Sequence, residues 1–394
     1  MTAINTRRYD LDWLRVLAFG LLIFYHTGMF FNSEGWHAKS VHMNDSVDPF
    51  MWLSSPWRLS LLFLISGIAL RFAVDKAPST LFFAGKRLVR LFVPIVFGML
   101  VIVTPQAYFE LLGKGEITPG YMDFYGRYLS MDNFSIIVPT WNHLWYVVYL
   151  LAYSLLALPL MPLFRKLAAL FDAPWFERMM SGGWLFLIPA SIFVVYRFTT
   201  DTWFPQETHA LFGDWGAHAR YFTYFAIGLL LAKNQAFWRV LSETWKIAAV
   251  GSALLALSLF ILWQNWDAWF GGITAVENIV RAMRPLYAWV IIMAFLGAAQ
   301  ACLNKPSVRL TYLTEAIFPY YILHQSLIIM IGVYVTGFGL SVWPEFLVVV
   351  FGTFGGCYVI HEFIIRRVFF LRPLFGVPMR AKPDAPVPRP LAAE

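Results

Sequence analysis

The sequence predicts an all-α polytopic membrane protein with about ten transmembrane helices. Hydrophobic residues make up 59% of its 394 residues and charged residues only 13%, roughly half the charged share of a typical soluble domain. Apolar runs long enough to cross a bilayer recur along the whole chain. The basic residues lie between those runs and form no patch with stacking aromatic residues, which argues against nucleic-acid binding.

Polar connections separate the predicted spans, and two of them, at residues 32–57 and 110–142, are long. They lie at residues 11–31, 58–74, 89–109, 143–163, 183–199, 219–234, 245–263, 281–301, 315–335 and 344–365. Several contain proline or glycine, which membrane helices tolerate better than soluble helices do. We therefore expect one integral membrane domain over residues 1–372. Residues 373–394 are rich in proline and alanine, and we expect them to form a mobile cytoplasmic tail.

The distribution of lysine and arginine predicts the orientation of the spans. With the N-terminus inside, 22 of the 30 basic residues face the cytoplasm, in agreement with the positive-inside rule. An even number of spans then makes the C-terminus cytoplasmic as well. The sequence leaves both a monomer and a homo-oligomer open.

Three ionisable residues interrupt the first apolar run: Asp12, Arg15 and His26. In a helix, the eleven-residue separation of Arg15 and His26 returns both to nearly the same face, about 16 Å apart. Asp12 lies one turn before Arg15. Ionisable groups inside a bilayer are costly, so they indicate function. The structural alternative is that Asp12 and Arg15 form an ion pair at the interface and His26 is a hydrogen-bonded core residue.

Several other histidines are predicted near the outer half of the bilayer. His37 follows the first span, His143 opens the fourth span, and His324 lies near the middle of the ninth. Histidine is suited to removing a proton from a hydroxyl near neutral pH. For His324, a helix–helix hydrogen bond is an equally open interpretation. The sequence contains no cysteine or histidine spacing that is typical of a metal site.

Basic residues are also predicted at the cytoplasmic ends of the first three spans. They are Arg15, Arg71, Lys86, Arg87 and Arg90. Arginine binds phosphate through paired hydrogen bonds, so this set suits a charged cytoplasmic donor such as an acyl-coenzyme A. The alternative is that these residues only anchor the protein to anionic membrane lipid.

The spacing of Arg15 and His26 resembles the Arg-x10-His signature of the acyltransferase-3 family, and Asp12 fits the residue that precedes it. Four further stretches resemble later motifs of that family in the same order: FLISGIALRF (63–72), KRLVRLFVP (86–94), NHLWYV (142–147) and YYILHQ (320–325). The chain departs from the family at Ile68, where an aromatic residue is usual. The resemblance covers nearly the whole chain and is closest to members that modify periplasmic glucans.

The resemblance implies an O-acyltransferase of the bacterial inner (cytoplasmic) membrane. Such an enzyme takes an acyl group, succinyl or acetyl, from cytoplasmic acyl-CoA and transfers it to a hydroxyl of a periplasmic glycan such as an osmoregulated glucan. Succinyl-CoA or acetyl-CoA is then a donor substrate and not a permanently bound cofactor. The alternative function is a proton-coupled transporter or flippase in which Arg15 and His26 form a relay.

The resemblance also implies roles for individual residues. His26 is expected to be the general base or a transient acyl carrier, while His143 and His37 orient the acceptor or stabilise the oxyanion. The residues expected to hold coenzyme A are Arg15, Asp12, Arg71, Lys86, Arg87 and Arg90. The residues expected to contact substrate are His324, Trp145 and Arg284. If the donor is succinyl-CoA, Arg281 and Arg284 are the expected partners of its free carboxylate.

Overall fold

The structure is a computed structural model that describes residues 7–266, 269 and 272–379. Within those residues every regular element is helical, which confirms the predicted all-α membrane class. The α-helices are α1 (Tyr9–Phe31), α2 (Asp48–Asp75), α3 (Thr80–Phe97), α4 (Thr104–Gly113), α5 (Tyr121–Leu129), α6 (Trp145–Ala157), α7 (Met161–Leu170), α8 (Pro174–Met179), α9 (Leu185–Phe198), α10 (Thr200–Trp203), α11 (Trp215–Leu231), α12 (Gln235–Gln264), α13 (Thr274–Cys302), α14 (Val308–Val335), α15 (Val342–Val359) and α16 (Leu371–Leu374). Short 3-10 or π segments adjoin several of them, at Asp45–Val47, Gly98–Ile102, Asn142–Leu144, Met180–Trp184, Thr336–Phe338 and Ile360–Ile365.

Eight helical segments in the described residues are long and apolar enough to cross a membrane. They are Tyr9–Phe31, Asp45–Asp75, Thr80–Gly113, Pro174–Trp203, Gln235–Gln264, Thr274–Cys302, Val308–Phe338 and Val342–Ile365. A ninth is present if the pair Asn142–Ala157 and Met161–Leu170, bent by 81°, forms one span. The count is therefore eight to nine, where the sequence predicted about ten.

All ten predicted spans coincide with helices, and the difference in number comes from two of them. The fourth is broken near Pro159 and Pro162, each of which lacks a backbone donor and disfavours helical geometry in the residue before it. The sixth corresponds to α11, which has only 17 residues. Apolar composition alone revealed neither the break in the fourth span nor the short length of α11.

Helix α1 lies inside the bundle and contacts α2, α13, α14 and α15. It is continuous from Tyr9 to Phe31, so Arg15 and His26 lie on one face as the sequence predicted. We call the end of the bundle near the start of α1 the Arg15 end and the opposite end the His26 end. One helix thus carries Arg15 near one end of the bundle and His26 near the other.

Helices α2 and α11 cross at two glycines. A Cβ added to Gly67 would lie 2.0 Å from the carbonyl oxygen of Phe225, and one added to Gly228 would lie 2.2 Å from that of Leu64. Both obstacles are backbone atoms, so they cannot move aside unless the helices separate. Small residues are a common means of close helix packing in membranes, and this crossing holds together two walls of the cavity described below.

Replacing Gly228 with alanine should lower the free energy of unfolding by about 1–3 kcal/mol, the range for overpacking a close-packed interior. The matched control is Gly20→Ala on α1, because a Cβ at Gly20 meets nothing within 4 Å. That control should be neutral or slightly stabilising, since alanine favours a helix. Thermal unfolding of both variants in detergent measures the difference. Equal melting temperatures would contradict the close approach of α2 and α11.

The first residues of the predicted tail are packed against the bundle. Phe375 and Val377 are buried, and the Phe375 ring meets the edge of Phe97 on α3 at a centroid distance of 5.2 Å. The packed part of the chain thus extends beyond the predicted boundary at residue 372, because these two apolar side chains are covered by helices. Residues 380–394 lie outside the described residues, and their mobility stays a prediction.

Candidate functional site

A cavity of about 660 Å³ opens at the His26 end, with walls from α1, α2, α11 and α13. It brings together five residues that the sequence selected from distant parts of the chain: His26, His37, His143, Trp145 and Arg284. A concave site with a few convergent polar groups is the usual form of a small-molecule site. The cavity is therefore the candidate active site.

His26 makes its closest polar contact with a second histidine. Its Nδ1 lies 2.8 Å from Nε2 of His324, and Nδ1 of His324 lies 2.6 Å from the backbone carbonyl oxygen of Tyr321. A carbonyl only accepts, so Nδ1 of His324 carries the proton and Nε2 of a neutral His324 accepts one. His26 then donates from Nδ1 and retains an unprotonated Nε2, the form that a general base requires.

His324 is almost fully buried, with 1% of its surface exposed, and it is not among the residues that line the cavity. It lies behind His26, on α14. The geometry therefore favours the helix–helix hydrogen bond over direct substrate contact, which were the two interpretations that the sequence left open.

His143 is held by hydrogen bonds at both ring nitrogens. Its Nε2 lies 3.1 Å from the carbonyl oxygen of Ile322 and donates to it, and its Nδ1 accepts from the amide of Gln106 at 3.2 Å. With no ring nitrogen available, His143 in this arrangement is neither a base nor a hydrogen-bond donor to an oxyanion. Its ring packs edge-on against His324 at a centroid distance of 5.1 Å, so it supports the histidine pair.

His37 reaches the cavity from the loop after α1. Its Nδ1 lies 2.5 Å from a carboxylate oxygen of Glu110, whose other oxygen accepts from Lys114 at 2.7 Å. Because a carboxylate accepts, His37 donates from Nδ1, and in the neutral form of the ring Nε2 is an acceptor. His37 is therefore a second candidate base beside His26.

Trp145, on α6, and Arg284, on α13, both line the cavity. One face of the Trp145 indole is covered by the parallel ring of His209, at a centroid distance of 4.3 Å. Arg284 donates to the hydroxyl of Ser55 at 3.3 Å, and its guanidinium lies 4.7 Å from the ring centroid of Trp52. Both side chains line the cavity, and their contact with substrate stays a prediction.

The sequence prediction missed a charged cluster on the cavity wall. Glu207 accepts from Arg220 and, at 3.0 Å, from Tyr221, and Arg220 also pairs with Asp201 at 3.2 Å. Burial alone would raise the pKa of Glu207, but its hydrogen bond with His209 and the charge of Arg220 lower that pKa to about 2. The Glu207 carboxylate is thus ionised at neutral pH. No short-range sequence pattern links these residues.

The sequence prediction also missed Arg58, which lines the cavity and is only 4% exposed. The predicted second span begins at Arg58, because this charged residue precedes an uninterrupted apolar run. Helix α2 in fact begins at Asp48, so Arg58 lies ten residues inside it. The rule that intramembrane charges indicate function could have selected it if the span had been placed earlier.

The predicted donor-binding residues lie at the Arg15 end and are not among those that line the large cavity. Arg15, Arg87 and Arg90 are close enough to repel one another electrostatically. Asp12 lies 3.5 Å from Arg15, but its nearest charged partner is Arg7, at 2.8 Å. The structure therefore groups three of the predicted cations with the predicted acid.

Arg71 occupies a different place. It pairs with Asp75 at 2.9 Å, and Asp75 also accepts from Arg165 and Lys233. Arg71 lines a smaller cavity of about 210 Å³, which Arg15, Arg87 and Arg90 do not line. The ammonium of Lys86 lies 4.3 Å from the ring centroid of Phe82.

An aromatic layer separates the arginine cluster from His26. Phe19 lies between Arg15 and His26 on α1 and packs against Tyr146 and Tyr321 at centroid distances of 5.8 and 5.1 Å. Tyr321 also supplies the carbonyl that holds His324. Three aromatic rings thus pack together at the level of α1 between Arg15 and His26.

Comparison with known proteins identifies the family of this chain. The acyltransferase-3 family model, described as an acyltransferase domain, matches residues 8–362. Glucans biosynthesis protein C of Escherichia coli O1:K1 is 24% identical over 404 residues, with 94% of each chain covered. Proteins of the same name from E. coli O45:K1 strain S88 and from E. coli ATCC 8739 match with the same identity and coverage. No solved structure matches significantly. The family match includes every helix from α1 to α15, and the chain therefore belongs to the acyltransferase-3 family of membrane acyltransferases.

Proposed function

We propose that this protein is an acyl-CoA-dependent O-acyltransferase of the bacterial inner membrane that acts on a periplasmic glycan. The observation that carries the proposal is the cavity-lining His26, whose Nε2 is left as an acceptor by the hydrogen bond from its Nδ1 to His324. The name of the relatives, glucans biosynthesis protein C, supports a glucan as the acceptor. An acceptor hydroxyl in the cavity would lie within reach of a base.

In the proposed reaction, the hydroxyl oxygen of the acceptor attacks the thioester carbonyl carbon while Nε2 of His26 takes the hydroxyl proton. The carbon–sulfur bond then breaks, and the coenzyme A thiolate leaves and takes that proton back from the imidazolium. The products are the glycan ester and free coenzyme A. His324 stabilises the intermediate imidazolium by accepting from its Nδ1–H.

The donor is proposed to enter from the Arg15 end. Arg15, Arg87 and Arg90 repel one another, and phosphate groups relieve that repulsion while accepting paired hydrogen bonds. The separation of Arg15 and His26, about 16 Å along α1, suits an extended arm that carries a thioester. The layer around Phe19 must rearrange to admit the arm.

The proposal predicts that the purified protein releases free coenzyme A from succinyl-CoA or acetyl-CoA only when a periplasmic glucan is present. Arg87→Gln should raise the KM for acyl-CoA roughly 10–100-fold, since a hydrogen bond to a charged group contributes about 1.5–3 kcal/mol, and leave the KM for glucan unchanged. Release of coenzyme A, followed with a thiol reagent, measures both quantities.

The matched control for that experiment is Arg178→Gln, an arginine of α8 whose side chain contacts only a backbone carbonyl in the described residues. It should leave both KM values unchanged. No release of coenzyme A with either donor, in folded protein that also fails to bind coenzyme A, would contradict the proposal and favour the transport alternative.

A further inference from the structure

The cavity wall carries more positive than negative charge. Its charged residues are Arg58, Arg197, Arg220, Arg284, Asp201 and Glu207. Arg197 and Arg220 form ion pairs with Asp201, and Arg220 also pairs with Glu207. With the histidines neutral, two positive charges remain in excess among the lining residues that the structure describes. They belong to Arg58 and Arg284, neither of which pairs with a carboxylate there.

Arg58 is buried without the partners that a buried guanidinium normally has. Its Nε and Nη1 have no hydrogen-bond acceptor in the described part of the chain. The guanidinium lies 3.4 Å from the ring centroid of Tyr25, and this contact stabilises the charge but leaves those two donors unused. Buried donors without an acceptor are rare in native proteins because they are costly. Arg58 is therefore a buried cation that the described residues leave without a carboxylate partner and with two donors unused.

Arg284 reaches the same part of the wall from α13. Its Nη2 donates to the hydroxyl of Ser55 at 3.3 Å, and Ser55 precedes Arg58 by one helical turn on α2. Its guanidinium also lies against an aromatic ring, that of Trp52. Two guanidinium groups, each backed by an aromatic face, are thus fixed to one short stretch of α2.

We propose that Arg58 and Arg284 form a binding site for an anionic group, a carboxylate or a phosphate ester, that a substrate carries into the cavity. Guanidinium groups bind such oxyanions through paired hydrogen bonds. The anion would neutralise the excess positive charge that Arg58 and Arg284 bring to the cavity wall. Arg58 stacks on Tyr25, the neighbour of His26 in α1, so the anionic group is bound close to the reacting atoms.

This inference rests on the proposed function, because it identifies the ligand as a substrate of acyl transfer. The anion has two chemical sources: an acyl group that ends in a carboxylate, as succinyl does, or an acceptor glycan that bears an anionic substituent. Both present the same chemistry to Arg58, and the experiment below has a separate arm for each.

The first arm measures binding and does not depend on turnover. Succinate and inorganic phosphate are titrated into the full-length protein in detergent, with uncharged 1,4-butanediol as the neutral comparison. We expect the wild type to bind at least one of the anions and not the diol, and Arg58→Gln to weaken that binding at least tenfold. Arg58→Lys, which keeps the charge and loses the planar fork, should have an intermediate affinity.

The matched control is Arg127→Gln, which removes one positive charge from a half-exposed residue of α5, paired with Asp132 outside the cavity. It should bind the anions as the wild type does. If Arg58→Gln does not fold, Arg284→Gln carries the same expectation. Undiminished binding in the folded variants, or no anion binding to the wild type, would overturn the proposal.

The second arm assigns the source of the anion. Succinyl-CoA is compared with butyryl-CoA, which has the same chain length and no carboxylate, and a neutral glucan with a glucan that carries phosphate esters. Arg58→Gln should raise the KM at least tenfold for only one of the two charged substrates. An equal loss with every substrate would contradict the site. No turnover in any combination would refute the proposed function, while the binding arm would still decide the anion site.

Discussion

Replacing His26 with glutamine should lower kcat for acyl transfer by about 10²–10⁴-fold, the usual contribution of a positioned general base. Glutamine can still donate to Nε2 of His324 through its amide, so the contact between α1 and α14 is retained and the fold should persist. It offers no nitrogen lone pair to the cavity, and proton removal from the acceptor stops. The KM for acyl-CoA should change little, because the donor phosphates are expected to bind at the Arg15 end.

The measurement is acceptor-dependent release of coenzyme A, with His37→Gln assayed in parallel. His37 is the informative comparison because it also lines the cavity and also retains an acceptor nitrogen while its Nδ1 donates to Glu110. A small effect at His26 together with a loss of activity at His37 would transfer the role of base to the His37–Glu110 pair. A comparable loss at both positions would indicate that the two imidazoles share the proton transfer.

Helical periodicity explains why the sequence could predict the relative positions of Arg15 and His26. Arg15 and His26 belong to one uninterrupted helix, so their spacing in sequence translates directly into a shared face and a distance. The convergence of His37, His143 and Trp145 on His26 was predicted only from their depth in the membrane and from the family resemblance. Depth was sufficient because these residues lie in or beside segments that end on the same side of the bundle.

Depth does not specify the face of a helix, so it did not reveal that Arg71 pairs with Asp75. The excess of basic residues at one end of the spans predicts on which side of the membrane a residue lies, and Arg71 is near the end of α2 as expected. Its direction is set by Asp75, one turn later on the same helix, and by Arg165 and Lys233 around that carboxylate. Long-range ion pairs of this kind leave no local pattern in the sequence.

The spacing of residues in the sequence likewise does not reveal which hydrogen bonds the ring nitrogens of a histidine make. The sequence placed His143 and His324 near His26, but hydrogen bonding decides what each can do. His143 uses both ring nitrogens within the protein, on Ile322 and Gln106, whereas His324 uses one on Tyr321 and the other on His26. Only the three-dimensional arrangement distinguishes a supporting imidazole from one that positions the base.

Replacing His324 with phenylalanine should lower kcat by roughly 10²-fold, with the KM values for both substrates nearly unchanged. Phenylalanine keeps the ring volume beside His143 and removes the acceptor for Nδ1–H of His26. The imidazole of His26 then loses both the group that sets its tautomer and the group that stabilises its protonated form. The expected loss is smaller than the roughly 10⁴-fold effect of disturbing the carboxylate in a Ser-His-Asp triad, because a neutral imidazole stabilises a cation less than a carboxylate does.

His324→Gln separates positioning from simple packing. The side-chain oxygen of glutamine can accept from Nδ1–H of His26. Because the variant retains this hydrogen bond, its activity should stay within about tenfold of the wild type. Nitrogen NMR shifts of His26 give a readout independent of turnover: proton occupancy should stay on Nδ1 in the glutamine variant and become mixed in the phenylalanine variant. Equal activity losses in both variants, with His26 still protonated on Nδ1, would mean that His324 acts through packing, and the tautomer of His26 would have to be set by another group.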